Sequence, residues 1–304
     1  MAATYEAALP QLVSIRDLAS DHDPNGWGRL DVGVTAEGRP HGITNRYVDS
    51  HTLVSGTTAS GKTSALRMIA VQALSRGHEV IVMDPIGVAN EYATLQPWIK
   101  ETAAGDREAA DLIERVHHEM SRRFDLLCVH KTGCWIDLPE EVRSQQHVRP
   151  VTVIIDELVN FQPSEDHAKL RIYAGSIARR GRAAGVHLVV AALDPRPGSI
   201  GSELMANLMG NAVLTVAPWE RPNELTLRTI FGHNADRAAE LVARLHDRGF
   251  GFALVGNAFS DSVQAVRIGY THWNDIPAIL EELNVPRATP SFPNYTLLQD
   301  GDGS

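Results

Sequence analysis

The chain has 304 residues, of which 43% are hydrophobic and 21% are charged, a composition that is typical of an ordinary globular protein and excludes a fibrous or disordered one. No stretch reaches the roughly 18 uncharged apolar residues of a membrane helix, the acidic N-terminus is unlike a secretory signal, and two cysteines are too few for a disulfide framework, so a cytoplasmic setting is predicted. The net charge of −9 argues against a protein that coats nucleic acid, but not against one that needs positive charge only along a channel.

The elements can be predicted in chain order. Residues 1–29 show little periodicity and contain the turn sequence DPNG, so a short helix and a loop are predicted there. Residues 30–40 predict a hairpin with Gly38 in its turn. From residue 51, apolar segments alternate with segments of helical spacing. Strands are predicted at 51–55, 79–83, 151–155, 186–192, 212–216, 250–255 and 263–268. Helices are predicted at 62–75, 107–127, 166–182 and 235–245.

This alternation predicts an α/β fold. Apolar strands separated by helices indicate a mainly parallel sheet covered on both faces, and the last two strands are expected to form an antiparallel addition at the C-terminal end. We predict three parts: an N-terminal extension at 1–29, a main α/β domain at 30–285 and a flexible tail at 286–304. The tail is rich in proline, glycine and polar residues.

A phosphate-binding loop is predicted between the first apolar strand and the first long helix. Residues 56–63 match the pattern G-x-x-x-x-G-K-[ST]. The glycines let several backbone N–H groups converge on phosphate oxygens, and the helix that follows adds its positive N-terminal end. Lys62 is predicted to contact the outer phosphates of ATP, and Thr63 to bind Mg²⁺. The predicted nucleotide-binding residues are Gly56, Thr57, Thr58, Ala59, Ser60, Gly61, Lys62, Thr63 and Ser64.

A second half of the site is predicted at Asp156 and Glu157. Both follow a buried strand, and a strand that ends in an acid brings its carboxylate to the edge of the sheet where ligands bind. Asp156 is expected to reach Mg²⁺, and Glu157 to polarise the attacking water. The strand at 79–83 lies between the two motifs in sequence, and a glutamate follows the metal-side aspartate. By fold-level analogy, this combination favours the RecA-like branch of P-loop NTPases.

Further segments resemble one family, the FtsK/SpoIIIE-type translocases of double-stranded DNA, which include TraB-like conjugative transfer proteins of actinomycetes. GTTASGKTS resembles the family's GTTGSGKS, and RRGRAAGVHL resembles its R-x-G-R-A-A-G-I-H-L, the most specific block. EMSRRF resembles E-M-x-x-R-Y, VIIDELVNF resembles a segment with D-E-[FL]-x-D-L, LTLRTIF resembles S-R-T-I-L, and DRGFGFALVG resembles the strand start R-G-D-M-L. The likeness covers about residues 30–280.

The resemblance implies an ATPase that assembles into a ring, expected to be a hexamer, around double-stranded DNA. ATP then lies between subunits, and Arg228 matches the arginine that reaches the nucleotide of a neighbour. An ordinary surface arginine is the alternative for Arg228. A membrane anchor or a DNA-targeting function is expected to come from a partner protein. The implied setting is DNA transfer or segregation in a mobile element, phage or actinobacterium.

Several positions depart from the family pattern. Leu193 and Asp194 stand where the family has a polar sensor glutamine and its neighbour, Ile86 replaces a lysine, and Asn160 replaces an acid. Leu193 has no hydrogen-bonding side chain, which puts the coupling of hydrolysis to movement in question. Two alternatives therefore stay open: an ATP-binding scaffold with weak turnover, and a secretion-type or single-strand motor that shares the core.

Basic residues are candidates for DNA contact. Arg179, Arg180 and Arg182 cluster at one helix end, with Lys169 and Arg171 upstream. They are predicted to contact DNA phosphates or a neighbouring subunit, and a solvated helix face is the alternative. Arg122 and Arg123 present the same choice. The pair Cys128 and Cys134 fits no common zinc spacing.

Overall fold

A computed structural model describes residues 9–10, 12–19, 28–44, 51–84, 91–160, 163–193, 195–256 and 262–289 of the chain. The strands are β1 (Arg29–Val34), β2 (Pro40–Thr44), β3 (Thr52–Ser55), β4 (Glu79–Asp84), β5 (Glu101–Ala104), β6 (Val151–Ile155), β7 (Val186–Ala192), β8 (Asn211–Val216), β9 (Phe252–Gly256) and β10 (Val263–Ile268). The helices are α1 (Ile15–Ala19), α2 (Lys62–Ser75), α3 (Gly105–His130), α4 (Glu140–Gln145), α5 (Glu165–Ala184), α6 (Pro197–Ile200), α7 (Ser202–Leu208), α8 (Glu224–Phe231), α9 (Ala235–Leu245) and α10 (Ile276–Glu282).

The ten described strands form one mixed sheet in the order β2-β1-β10-β9-β8-β3-β7-β6-β4-β5. Strands β8, β3, β7, β6, β4 and β5 run parallel to one another, and each remaining neighbour pair is antiparallel. The predicted α/β fold with a mainly parallel sheet is confirmed. Because β7 lies between β3 and β6, the strand that leads into the predicted loop and the strand that leads into Asp156 are not neighbours.

Strand β6 illustrates how the sheet divides the core into two layers. Val153 and Ile155 pack on the side covered by α3 and α5, whereas Ile154 packs on the side covered by α2. All five residues of β6 are buried, as expected for a parallel strand with helices on both faces. The continuous apolar runs of the sequence therefore reflect two cores, one on each face of the sheet.

The antiparallel part of the sheet is larger than the sequence indicated. The predicted hairpin forms as β1 and β2, with Gly38 in its turn, but β1 also pairs with β10. The antiparallel addition therefore joins an N-terminal hairpin to the C-terminal pair. Strand β5 was not predicted, because its sequence, ETAA, is a short edge segment with little apolar character.

The predicted domain boundaries stay predictions. On the N-terminal side, Ile15 and Leu18 of α1 are buried beside α2, so the described part of this segment packs on the core. On the C-terminal side, Ala288 N donates to Pro97 O at 2.9 Å and Trp98 Nε1 donates to Val285 O at 3.1 Å. No helix among the described residues is long and apolar enough to span a membrane.

Candidate nucleotide site

The predicted phosphate loop lies between β3 and α2, at the edge of the sheet where the parallel strands end. Ser60 ties this loop to the sheet. Thr215 of β8 donates through Oγ1 to Ser55 O at 3.1 Å, and the Ser60 hydroxyl therefore donates to Thr215 Oγ1, at 2.5 Å. Sequence analysis missed Thr215, although it is the one polar side chain inside the run AVLTV. Both hydroxyls are buried, so the loop is held in one conformation.

Gly56 occupies a position that admits no side chain. Its φ is 150°, and a Cβ atom there would lie 2.0 Å from Thr215 Oγ1 and 2.8 Å from Thr215 O. The backbone of the loop consequently packs directly against β8. Ala59 also has a positive φ, 59°. The FtsK/SpoIIIE-type sequence that this loop resembles, GTTGSGKS, has a glycine at that position. An alanine in this left-handed region costs about 1–2 kcal/mol of stability. The contacts that fix the loop must offset this cost.

The start of α2 is suited to bind anions. The N-cap residue Gly61 provides no side-chain cap, and the first turn holds no acidic residue. The first N–H groups of a helix have no partner within the helix, so those of α2 are directed at the space above the loop. Thr63 and Ser64 lie in this half-buried first turn, as the sequence predicted.

Lys62 is held at the mouth of the loop. Its Nζ donates to Gly56 O at 2.9 Å and to Thr57 O at 3.2 Å, and lies 3.8 Å from Glu157 Oε2. The side chains of Lys62 and Glu157 are each 12% exposed, so their charges interact with little screening by water. The structure thus brings two predicted catalytic residues together.

Glu157 is oriented by the neighbouring strand. Leu193, directly after β7, donates its backbone N–H to Glu157 Oε1 at 2.8 Å. Glu157 itself has a φ of 67°, a left-handed conformation that is rare outside glycine and is found where a site dictates the backbone. Leu193 therefore acts on Glu157 through its backbone N–H. This contact does not depend on the side chain, so it is available with leucine here as with the glutamine of the family pattern. Its side chain is 48% exposed.

Asp156 lies among other negative charges. The pKa of Asp156 is raised to about 6, and burial is the largest cause. The hydrogen bond from Tyr92 and the charge of Lys62 lower the pKa, whereas the charges of Asp84 and Glu157 raise it. This accumulated negative potential would be relieved by a cation. Carboxylate and hydroxyl oxygens are the donors that Mg²⁺ prefers, and it usually takes one or two carboxylates in addition to phosphate oxygens. Asp156 together with Thr63 fits that pattern.

Tyr92 anchors Asp156, a contact that sequence analysis missed because Tyr92 lies between the motifs. Tyr92 Oη donates to Asp156 Oδ2 at 3.0 Å. Burial, and then the charge of Asp156, raise the pKa of Tyr92 well above its ordinary value, so the phenol remains a donor. Arg67 of α2 donates to Glu91 O at 2.8 Å and forms an ion pair with the Glu91 carboxylate. This chain of contacts links the helix after the loop to Asp156, the carboxylate that the sequence predicts to bind Mg²⁺.

We expect Asp156→Asn to stabilise the protein when no nucleotide or metal is bound. A raised pKa in the folded state means that folding favours the protonated acid, so this stability is complete below about pH 4 and is lost as the pH rises through about 6. Asparagine cannot ionise and still accepts the Tyr92 hydrogen bond. At pH 8 the free energy of unfolding should rise by about 1–3 kcal/mol. Denaturant unfolding at pH 8 and pH 4 measures it; an equal gain at both pH values would contradict this origin.

A cleft of about 590 Å³ opens beside the loop. Its walls include residues 56–58, Leu193, Arg196, Trp219 and Leu225. Three of these large apolar side chains are exposed, Leu193 by 48%, Trp219 by 52% and Leu225 by 60%. Clustered exposed apolar residues are typical of a surface that meets another molecule.

Arg228 lies on α8, whose first turn borders this cleft, but Arg228 is not among the lining residues. Its side chain is 58% exposed, and Nε donates to Glu224 Oε1 at 2.7 Å. The structure therefore does not bring Arg228 to the loop of its own chain. Its predicted action on a neighbour's nucleotide stays a prediction.

The arginines predicted to contact DNA are partly engaged within the chain. Arg179 forms an ion pair with Glu203 at 2.6 Å, and the Arg180 guanidinium lies 4.6 Å from the centre of the Phe124 ring. Arg182 is half-buried. Arg123 was wrongly placed on a solvated or DNA-binding face: it is fully buried, because it bonds Glu119 Oε1 at 2.8 Å and Ala184 O at 2.9 Å.

The structure tells us only a little about two departures from the family pattern and about the two cysteines. Asp194 and Ile86 lie outside the described residues. Cys128 is exposed and Cys134 is buried. Within the described part of the chain, no group of three or more histidine, cysteine, aspartate or glutamate side chains is arranged to hold a metal ion.

The loop after β3, the carboxylates after β6 and the order of the strands define a P-loop ATPase domain. Residues 11–134 match the FtsK/SpoIIIE family. The chain is also distantly similar in sequence to DNA translocases, and it is similar in structure to a conjugation coupling protein.

The sequence relatives are longer proteins. The DNA translocase FtsK of Staphylococcus epidermidis is 28% identical over 245 residues, which cover 73% of this chain and 29% of the relative. The DNA translocase FtsK of Caldanaerobacter subterraneus is 28% identical over 163 residues, which cover 52% of this chain and 23% of the relative. The chain thus spans less than a third of the length of these relatives.

Solved structures share the fold. The monomer form of the pCW3 conjugation coupling protein TcpA with ATPγS has a TM-score of 0.70 and 20% identity, covering 91% of this chain and 75% of TcpA. The cytoplasmic domain of the type VII secretion ATPase EccC from Thermomonospora curvata has a TM-score of 0.68 and 18% identity, covering 92% of this chain and 35% of EccC. At these identities the likeness establishes the fold alone.

Proposed function

We propose that the chain hydrolyses ATP to move double-stranded DNA through a ring of its own copies, in the cytoplasm. The observation that carries this proposal is the position of Glu157, which Leu193 holds 3.8 Å from Lys62 at the mouth of the phosphate loop. A carboxylate fixed beside the phosphate-binding lysine can polarise a water for attack on the terminal phosphate. The sequence relatives are described as DNA translocases, which supports DNA as the partner.

Each residue of the site has a proposed role. The backbone of residues 56–61 and the first turn of α2 bind the phosphates of ATP, and Lys62 turns from the loop carbonyls towards the outer phosphates. Asp156 and Thr63 hold Mg²⁺, which neutralises developing charge on the phosphates. Glu157 orients the water and accepts its proton. The buried Ser60–Thr215 contact keeps the loop from rearranging during the cycle.

Assembly is proposed to complete the site. Arg228 is exposed and does not line the cleft beside the chain's own loop, a position from which it can approach the nucleotide of an adjacent copy. The exposed apolar residues of the cleft are suited to contact that copy. A guanidinium supplied across an interface stabilises the charge of the transition state, and its loss typically costs 10³–10⁵-fold in rate. A hexamer and an anchoring or DNA-targeting partner remain part of the proposal.

A second candidate is an ATP-binding scaffold with weak turnover. Leu193 favours it, because its exposed side chain cannot hydrogen-bond a terminal phosphate at the end of β7. A secretion-type or single-strand motor is a third, and the shared fold with EccC is compatible with it. Neither alternative requires the ATPase to respond to duplex DNA.

The test is steady-state ATP hydrolysis by the purified chain, titrated with long duplex DNA or with single-stranded DNA. We expect duplex DNA to stimulate hydrolysis at least tenfold and single strands to stimulate it less. Lys62→Ala should abolish the activity. ATP binding without stimulation by any DNA would reject the motor and favour the scaffold, and preferential stimulation by single strands would favour the single-strand motor.

The same assay tests Arg228. We expect Arg228→Ala alone to be inactive, whereas a mixture with Lys62→Ala should recover activity, because an intact loop of one variant then meets Arg228 of the other. Arg16→Ala is the matched control. Arg16 is exposed to a similar extent, 54%, and it also forms an ion pair, with Glu282 at 2.8 Å. Full activity of Arg228→Ala, or no recovery on mixing, would show that Arg228 does not act across an interface.

A further inference from the structure

Three arginines of α9 and the turn after it share one exposed face. Arg237, Arg244 and Arg248 line a groove of about 240 Å³, together with the β1–β2 turn and the start of β10. On the same side of α9, Leu241 and Leu245 are buried in the core. The helix is therefore fixed by its apolar contacts, and the arginines are held along the rim of the groove. We call Arg237, Arg244 and Arg248 the arginine face.

Most of the positive charge of the arginine face is not neutralised by other residues in the described part of the chain. Arg237 pairs with Glu240 at 2.9 Å, but both side chains are exposed, and such pairs contribute little. Among the described residues, Arg244 and Arg248 form no ion pair and no hydrogen bond. Glu37, on the opposite wall, is the acid that also lines the groove.

The contrast with α5 changes where DNA contact is expected. Arg179 and Arg180, which the sequence favoured, are engaged by Glu203 and by the Phe124 ring. A phosphate would have to compete with those contacts, but it meets no such competitor at Arg244 and Arg248. Guanidinium groups match phosphate oxygens in geometry and are always charged. Because Glu37 repels an anion inside the groove, the partner must lie across the rim.

The arginine face is also connected to the nucleotide site. Helix α8 begins at the cleft beside the phosphate loop, packs against α9 and is joined to it by the short 3-10 turn Gly232–Asn234. The contact between α8 and α9 therefore gives a physical path between the cleft and the arginine face.

We propose that the arginine face binds the phosphate backbone of double-stranded DNA. This inference rests on the proposed function and names the surface that carries it. Arg244 lies in the last turn of α9 and Arg248 ends the 3-10 turn that follows it. Because both line the same groove, both can contact one strand. Arg237, two turns before Arg244, extends the same contact. Contacts of this kind are independent of base sequence and weaken with salt.

The test compares binding of the full chain to a fluorescent 30-base-pair duplex, with ATPγS present and over a range of salt concentrations. We expect the double variant Arg244→Gln/Arg248→Gln to bind at least tenfold more weakly at low salt. The slope of log affinity against log salt should fall by about 2, since each phosphate contact contributes about 0.9. Arg16→Gln/Arg287→Gln removes the same charge from exposed, paired arginines and should change affinity less than threefold.

The outcomes distinguish failure of the arginine face as the DNA contact from failure of the proposed motor function. If the double variant unfolds at the wild-type temperature but binds duplex DNA as tightly as wild type, the arginine face is not the contact, although the motor assignment stands. The same conclusion follows if the control pair loses more affinity than the double variant. If the wild type binds no duplex at any salt concentration, both this inference and the proposed function fail. The single variant Arg248→Gln, at the end of the turn, is expected to give about half of the change in slope.

Discussion

Gly56→Ala is expected to abolish tight ATP binding and to lower the free energy of unfolding by about 2–5 kcal/mol. A Cβ atom at this position would lie 2.0 Å from Thr215 Oγ1, 2.5 Å from Ser60 Oγ and 2.8 Å from Thr215 O. The two hydroxyls can rotate, but the carbonyl oxygen belongs to the backbone of β8 and cannot. The loop must therefore move away from the sheet, which breaks the Ser60–Thr215 hydrogen bond and misdirects the N–H groups. We expect a loss of at least 100-fold in ATP affinity, measured by calorimetry.

Gly77→Ala is the matched control for backbone strain. Gly77 also has a positive φ, 76°, but a Cβ atom there would meet no other atom within 4 Å, and it lies beyond the far end of α2. It should cost about 1–2 kcal/mol of stability and leave ATP affinity unchanged. If Gly56→Ala loses no more stability and affinity than Gly77→Ala, close packing of the loop on β8 is not what the site requires.

The fold could be predicted largely from the period of the apolar residues. Strands β6, β7 and β10 and helices α2 and α9 have the predicted bounds. These elements have long apolar runs or a regular helical face, so burial alone defines them. The short helices α6, α7 and α8 and the edge strand β5 were missed, because a few residues carry no readable period and their structure depends on neighbours. Pairing of β1 with β10 is likewise set by tertiary contacts.

The candidate site could be predicted only where its residues are adjacent in sequence. The phosphate loop and the pair Asp156-Glu157 are contiguous motifs with a fixed chemical purpose. Tyr92, Thr215 and the main chain of Leu193 enter the site from other strands, and no local pattern distinguishes them from core residues. Arg123 could not be predicted either, because a helical arginine next to another arginine has the pattern of a solvated face. In the structure, Glu119 and Arg123, the glutamate and the second arginine of EMSRRF, form a buried ion pair.

Arg123→Met is expected to lower the free energy of unfolding by about 3–5 kcal/mol. The Arg123 side chain is fully buried between α3 and α5, where it bonds Glu119 Oε1 at 2.8 Å and Ala184 O at 2.9 Å. Methionine fills a similar volume but donates no hydrogen bond. The carbonyl at the end of α5 then loses its donor, and the buried Glu119 carboxylate keeps only Arg122. Leaving a buried charge underneutralised costs more than the ion pair itself contributes.

The pH dependence and two further variants identify this mechanism. Burial raises the pKa of Glu119, but hydrogen bonds and charges from Arg122 and Arg123 outweigh it and lower the pKa below the ordinary value. A lowered pKa gives stability that is present at neutral pH and is lost as the pH falls, so the deficit of Arg123→Met should shrink below about pH 4. Arg122→Met, at a side chain 23% exposed, should cost about 1 kcal/mol.

Glu119→Met/Arg123→Met, which removes both charges, should regain much of the loss in denaturant unfolding. A double variant less stable than Arg123→Met would mean that packing, and not the unpaired carboxylate, sets the cost.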